Sequence, residues 1–143
     1  MTRRTTMSAP AAWSRLTDWG RHGEFIPLTA VTRQPNSPLG LGAVFVAHTS
    51  VGLLQFDDPM EVTFWRPPTP DEAGSCRIVK RGRVVTGWAV LTVASRHDGA
   101  CITWLEDARV KIAGPLLDLP TMIAGKRVFA RLVDGLLLDA DSG

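Results

Sequence analysis

The spacing of hydrophobic positions along this chain changes twice. Between Thr29 and Lys111 they alternate with polar residues in short runs, the period of β-strands whose two faces differ. From Leu119 to Leu138 they recur at steps of three, four and seven. Met122, Phe129, Val133 and Leu136 form a stripe there, widened by Ile123, Leu132 and Leu137, while Lys126, Arg127, Arg131 and Asp134 mostly fall elsewhere. That stripe predicts the longest helix of the chain, with one face buried against something large. Before the strands, Thr2 to Met7 reads as a short polar strand and Ser8 as an N-cap. Pro10 suits a first helical turn, and Ala11, Ala12, Trp13, Leu16 and Trp19 make a short amphipathic helix. Gly20 and Gly23 interrupt it, Arg21 to Phe25 forms a second turn of helix, and Pro27 ends the segment.

The strand region divides at its turn residues. Thr29 to Arg33 is a strand, closed by Pro35-Asn36-Ser37-Pro38, and Gly42 to Val51 is the next. Phe56-Asp57-Asp58-Pro59 is expected to be a turn, with Asp57 and Asp58 as turn residues. Met60 to Trp65 then places Met60, Val62 and Phe64 on one face and Glu61 and Thr63 on the other. Pro67 to Ser75 is a loop. Cys76 to Arg81 and Val84 to Ser95 form a hairpin about Gly82, and His97-Asp98-Gly99 turns the chain into Ala100 to Lys111. Gly114-Pro115 breaks the sheet ahead of the closing helix. The expected order is strand, short helices, about six antiparallel strands, long helix.

Composition narrows the function classes. A length of 143 residues suits one domain, 1–143, with room for a core and a cavity. A net charge of +2 is too small to argue for nucleic acid, and the five tryptophans are not interleaved with basic residues as a stacking platform. The opening MTRRTTMSAP has no apolar core, so it does not read as a secretion signal. The interval from Arg33 to Asp57 is uncharged, but its glycines, His48, Gln55 and hydroxyls do not suit a spanning helix of roughly 20 apolar residues. A cytoplasmic protein without an integral membrane segment is the expectation. Cys76 and Cys101 open strands on either side of a shared neighbour, about 9 to 10 Å apart by strand spacing, so reduced thiols are expected. No histidine stands at metal-ligand spacing from either, and no cofactor is indicated.

This order of elements resembles the helix-grip fold of the START-like superfamily (SRPBCC), in particular its polyketide cyclase/dehydrase and lipid-transport branch. The resemblance covers essentially the whole chain. Its most telling block is a proline followed by Trp13, Leu16, Thr17-Asp18, Arg21, Phe25 and Pro27. Phe56-Asp57-Asp58-Pro59-Met60, Gly99 before Thr103-Trp104, and the closing helix agree with it. These are packing and turn signatures, so they speak for fold more than for activity. The resemblance implies an α+β protein with a curved antiparallel sheet of about six to seven strands wrapped around a long C-terminal helix. It also implies a cavity between them for a lipid, sterol, quinone or polyketide-like ligand.

Strand parity identifies where chemistry would sit. Ile102, Trp104, Ala108, Val110 and Ile112 share an inward face with Glu106, a carboxylate that needs a partner or a proton there. Ile78 and Lys80 share a face one strand removed, which makes Lys80 a candidate partner for Glu106. The plainer reading is a charge near a strand end that reaches solvent. The positions expected to meet a ligand are Phe45, Ala47, Phe64, Ile78, Lys80, Leu91, Trp104 and Glu106 on the sheet, and Met122, Ile123, Lys126, Phe129 and Val133 on the helix. His48 is expected to point outward and His22 to lie near the cavity mouth, and no serine–histidine–acid or cysteine–histidine arrangement is legible. Binding or carriage of a small hydrophobic or amphipathic ligand follows as the leading expectation. A cyclase or dehydratase using Glu106 as acid or base is the alternative, and a protein-interaction module on the outer sheet face is a third.

Overall fold

A computed structural model describes residues 1–51, 53–110 and 130–137. Seven strands form one antiparallel sheet: β1 (Thr2–Thr5), β2 (Thr29–Arg33), β3 (Val44–Val51), β4 (Leu54–Arg66), β5 (Gly74–Arg81), β6 (Val85–Arg96) and β7 (Gly99–Val110). Their order across the sheet is β1-β7-β6-β5-β4-β3-β2. Each strand from β2 to β6 pairs with its successor, and β1 adds itself beyond β7. The helices α1 (Ala9–Leu16) and α2 (His22–Phe25), separated by a 3₁₀ turn at Trp19–Arg21, connect the two edges. Residues 130–137 are helical and form α3.

α1 starts where the sequence signals it. Ser8 is extended and its Oγ accepts the Ala11 N–H at 3.4 Å, while Pro10 stands in the first turn, where no intrahelical donor is needed. The buried side of α1 is Ala9, Ala12, Trp13 and Leu16. These meet the inner face of the sheet, where Val62, Cys76, Leu91, Val93 and Ile102 are almost wholly buried. Leu132, Val133, Leu136 and Leu137 of α3 complete the core. Burying a side chain of this size contributes about 1.5–3 kcal/mol, so α3 is held chiefly by its apolar face. Polar ties fix its position: Arg3 Nε lies 2.7 Å from Asp134 Oδ1, and Arg15 Nη1 donates to the Leu136 carbonyl at 3.4 Å. Gly135 has no Cβ because the Phe25 ring occupies that place.

The strand from Thr29 to Arg33 and the α2 turn stand where the pattern puts them, and six strands follow β1. The expected turn at Phe56 to Pro59 is instead strand. β4 begins at Leu54, with Asp57 opposite His48, Asp58 opposite Ala47 and Pro59 opposite Val46. The β4–β5 ladder starts only at Met60↔Lys80, so Pro59 is paired on one side alone, where a missing N–H is tolerated. A second correction concerns Phe64. The register shifts between Val62 and Phe64, a β-bulge at Thr63 that breaks the alternation. Phe64 therefore turns outward and is 46% exposed, while Trp65 turns inward to meet the Trp13 ring edge-on at 4.9 Å.

Cys76 and Cys101 are free and lie opposite Leu91 and Ala94 of the shared strand β6. Burial pushes the Cys76 thiol up to about 12. No helix among the described residues is long and apolar enough to cross a membrane.

Candidate functional site

A cavity of about 150 Å³ opens between the inner face of the sheet and the α1–α2 segment. Its sheet wall includes Phe45 and Ala47 of β3, Asp58 and Met60 of β4, Ile78 and Lys80 of β5, Ala89 of β6 and Trp104 of β7. Trp19, His22 and Ile26 come from the helical segment, and Thr29 and Val31 from β2. The space exists because Ala47 and Ala89 carry only methyl groups where longer side chains would fill it.

At the helical end the 3₁₀ turn lays Trp19 flat on Phe45, with ring centroids 4.8 Å apart and planes 5° from parallel. The Trp19 indole N–H is buried without a hydrogen-bond partner among the described residues. His22 packs edge-on against Trp19 at 5.1 Å, and its Nε2 is 2.9 Å from the Leu16 carbonyl. A carbonyl only accepts, so Nε2 carries the proton and Nδ1 keeps its lone pair. Burial lowers the His22 pKa to about 4, the Leu16 carbonyl and Asp18 opposing only in part, and the imidazole is neutral at neutral pH.

The sheet end carries charge. Lys80 Nζ lies 3.1 Å from Glu106 Oε1 and 3.7 Å from Asp58 Oδ2, and all three side chains are largely buried. Lys80 reaches Glu106 across the whole width of β6. The residues it crosses are Gly87, opposite Lys80, and Ala89, opposite both Ile78 and Glu106, so nothing tall stands between. Trp104 Nε1 donates to Glu106 Oε2 at 3.3 Å, which fixes the carboxylate from a second side. Asp58 is 5% exposed, and its Oδ1 has no hydrogen-bond partner among the described residues. A Cβ on Gly82 would come within 2.6 Å of that oxygen, so the carboxyl sits directly against backbone. Burial raises the Asp58 pKa above the usual carboxylate range; Lys80 pulls it back and Glu106 pushes it further up.

Of the residues singled out from sequence, Phe45, Ala47, Ile78, Lys80 and Trp104 line the cavity, and Glu106 joins it through Lys80. Leu91 and Val133 are in the core beneath it, and Phe64 is on the outer surface. Met122, Ile123, Lys126 and Phe129 lie outside the described residues. Sequence reading missed Trp19, Ile26, Met60, Ala89 and, above all, Asp58. The parity of Met60 and Val62 contained the signal for Asp58, masked by the turn-like Asp-Pro pair. His48 faces outward as expected, its Nδ1 2.7 Å from Asp57 Oδ1 and its Nε2 2.8 Å from Thr32 Oγ1. Among the described residues no group of three His, Cys, Asp or Glu side chains could hold a metal ion.

No protein-family model matches the sequence, and no curated protein does. Solved structures do. Zhui aromatase/cyclase from Streptomyces sp. R1128 superposes with a TM-score of 0.64 at 14% identity, over 99% of this chain and 91% of that one. Ara h 8.0201 gives 0.63 at 9% identity over 96% and 95% of the two chains. A point mutant of norcoclaurine synthase from Thalictrum flavum gives 0.60 at 11% identity over 99% and 93%. The chain has the helix-grip fold. At such low identities the likeness concerns the backbone alone. Within the helix-grip frame the cavity lies between the curled sheet and the helices, and its lining belongs to this sequence.

Proposed function

We propose that this helix-grip protein binds or carries a small hydrophobic or amphipathic ligand in the cavity between its sheet and helices. The observation that carries the reading is an apolar cavity of about 150 Å³ with largely buried Asp58 and Lys80 on its wall, Lys80 also reaching Glu106. Convergent polar groups in an apolar cavity orient a ligand and discriminate among ligands of similar shape. The size favours a compact molecule: an engineered cavity of about 150 Å³ is known to take up benzene. Thermal melts with a panel of fatty acids, sterols, quinones and one-ring aromatics, together with native mass spectrometry of the purified protein, test the proposal. A rise in Tm with at least one class supports it. No shift with any, and no co-purifying small molecule, would sink it.

One observation favours a second reading, that of an enzyme of the cyclase or dehydratase type. Asp58 is a buried carboxyl with a raised pKa, the property a general acid needs. Glu106, the first candidate for that role, is already engaged by Lys80 and Trp104. Turnover of a polyketide-like substrate that survives Asp58→Asn would exclude Asp58 from the chemistry, and survival of Glu106→Gln would exclude Glu106. The outer sheet face mixes charge with scattered apolar side chains: Arg81 pairs with Glu61 and Arg77 lies over the Trp88 ring at 5.2 Å, beside exposed Phe64 and Leu105.

A further inference from the structure

Among the described residues the charges at the cavity wall do not balance. Asp58 and Glu106 are both largely buried, and Lys80 is the cation within ion-pair distance of each among the described residues. One ammonium cannot offset two carboxylates, and its closer contact, 3.1 Å against 3.7 Å, is with Glu106. Asp58 is left with one oxygen at long range from the lysine and the other, Oδ1, without a hydrogen-bond partner among the described residues. His22, the remaining titratable group on the wall among the described residues, is neutral at neutral pH and offers no positive charge. A buried carboxylate in this position is costly until a cation or a proton joins it.

We propose that the ligand is a compact, one-ring amine, bound as its ammonium ion beside Asp58 with its ring among Trp19, Phe45 and Trp104. The proposal rests on the cavity being a ligand site, and it names the ligand's charge and size. An ammonium supplies the second positive charge that two carboxylates require, and its N–H groups meet a carboxyl short of donors. A neutral ligand leaves the imbalance as it stands, and an anion adds a third negative charge to the same wall. The aromatic side chains on the wall give the ligand's ring apolar surface to lie against. A volume of about 150 Å³ suits a one-ring molecule better than a long acyl chain or a fused-ring skeleton.

Titration calorimetry of the whole chain at neutral pH with benzylamine, benzyl alcohol and benzoate, three molecules of nearly one shape and three charges, tests this. Benzylamine is expected to bind about tenfold or more tighter than benzyl alcohol, with benzoate weakest. Asp58→Asn, folded by its thermal melt, is expected to bring benzylamine down to the level of benzyl alcohol while leaving the alcohol unchanged. Glu106→Gln removes the other negative charge and lowers the preference in the same direction, which keeps the test open should the first variant not fold. Equal or tighter binding of the alcohol or benzoate, or a preference that survives both variants, overturns the amine assignment and leaves ligand binding standing. No heat with any of the three overturns the amine too, and the wider ligand panel then decides whether the cavity is a binding site at all.

Discussion

At the scale of single residues, burial dictates protonation. His22 has a folded pKa of about 4 against an ordinary 6.5, because its ring is enclosed and the Leu16 carbonyl and Asp18 offset that burial only in part. The sign follows from which state binds the proton. Above 6.5 neither form of the chain protonates His22, and its contribution is fully present. As pH falls from 6.5 toward 4 the unfolded chain takes up a proton that the folded one refuses, so stability drops. The loss from this group is on the order of 3 kcal/mol by about pH 4. Denaturant melts of the protein and of His22→Gln, which keeps an N–H for the Leu16 carbonyl, are expected to converge as pH is lowered. Parallel curves over that interval would refute the assignment. The Lys80–Glu106 pair was legible in the sequence from strand parity alone, since two inward charges two strands apart have few other ways to be satisfied. Asp58 was not, because Asp-Pro is a strong local turn signal and only pairing with β3 overrides it.

At the scale of elements, single insertions and missing side chains shape the site. Counting every second residue located most strands, yet it cannot see the extra residue at Thr63 that sends Phe64 outward and Trp65 inward. Gly87 is the second such feature. Its φ is +138°, a region that side chains disfavour, and a Cβ there would collide with the Asp107 carbonyl of β7. The close approach of β6 and β7 at this point also leaves bare backbone opposite Lys80. Gly87→Ala is therefore expected to lower stability by about 2 kcal/mol or more, measured by urea denaturation. An unchanged midpoint would mean that the strands separate there without cost.

At the scale of the molecule, the sheet was readable because its strands pair in chain order, so local turns dictate the global topology. The buried half of the closing helix was readable from its stripe: Leu132, Val133, Leu136 and Leu137 are all buried. The cavity was not, because it depends on which side chains from distant strands are short, and no one-dimensional period records that. α3 anchors the whole assembly, so Leu136→Ala, at a fully buried site, is expected to cost about 3 kcal/mol in equilibrium unfolding. A loss below about 1 kcal/mol would place the helix at the periphery of the fold.

The Trp19–Phe45 stack also gives the protein a built-in optical signal. The chain contains no tyrosine, so its near-ultraviolet emission comes from five tryptophans, and two of them, Trp19 and Trp104, form part of the cavity wall. Anything that enters must displace solvent from, or lie against, those indoles. Occupancy should thus register as a change in intensity or colour of the protein's own fluorescence, and Trp19→Phe would separate the contribution of one wall from that of the other.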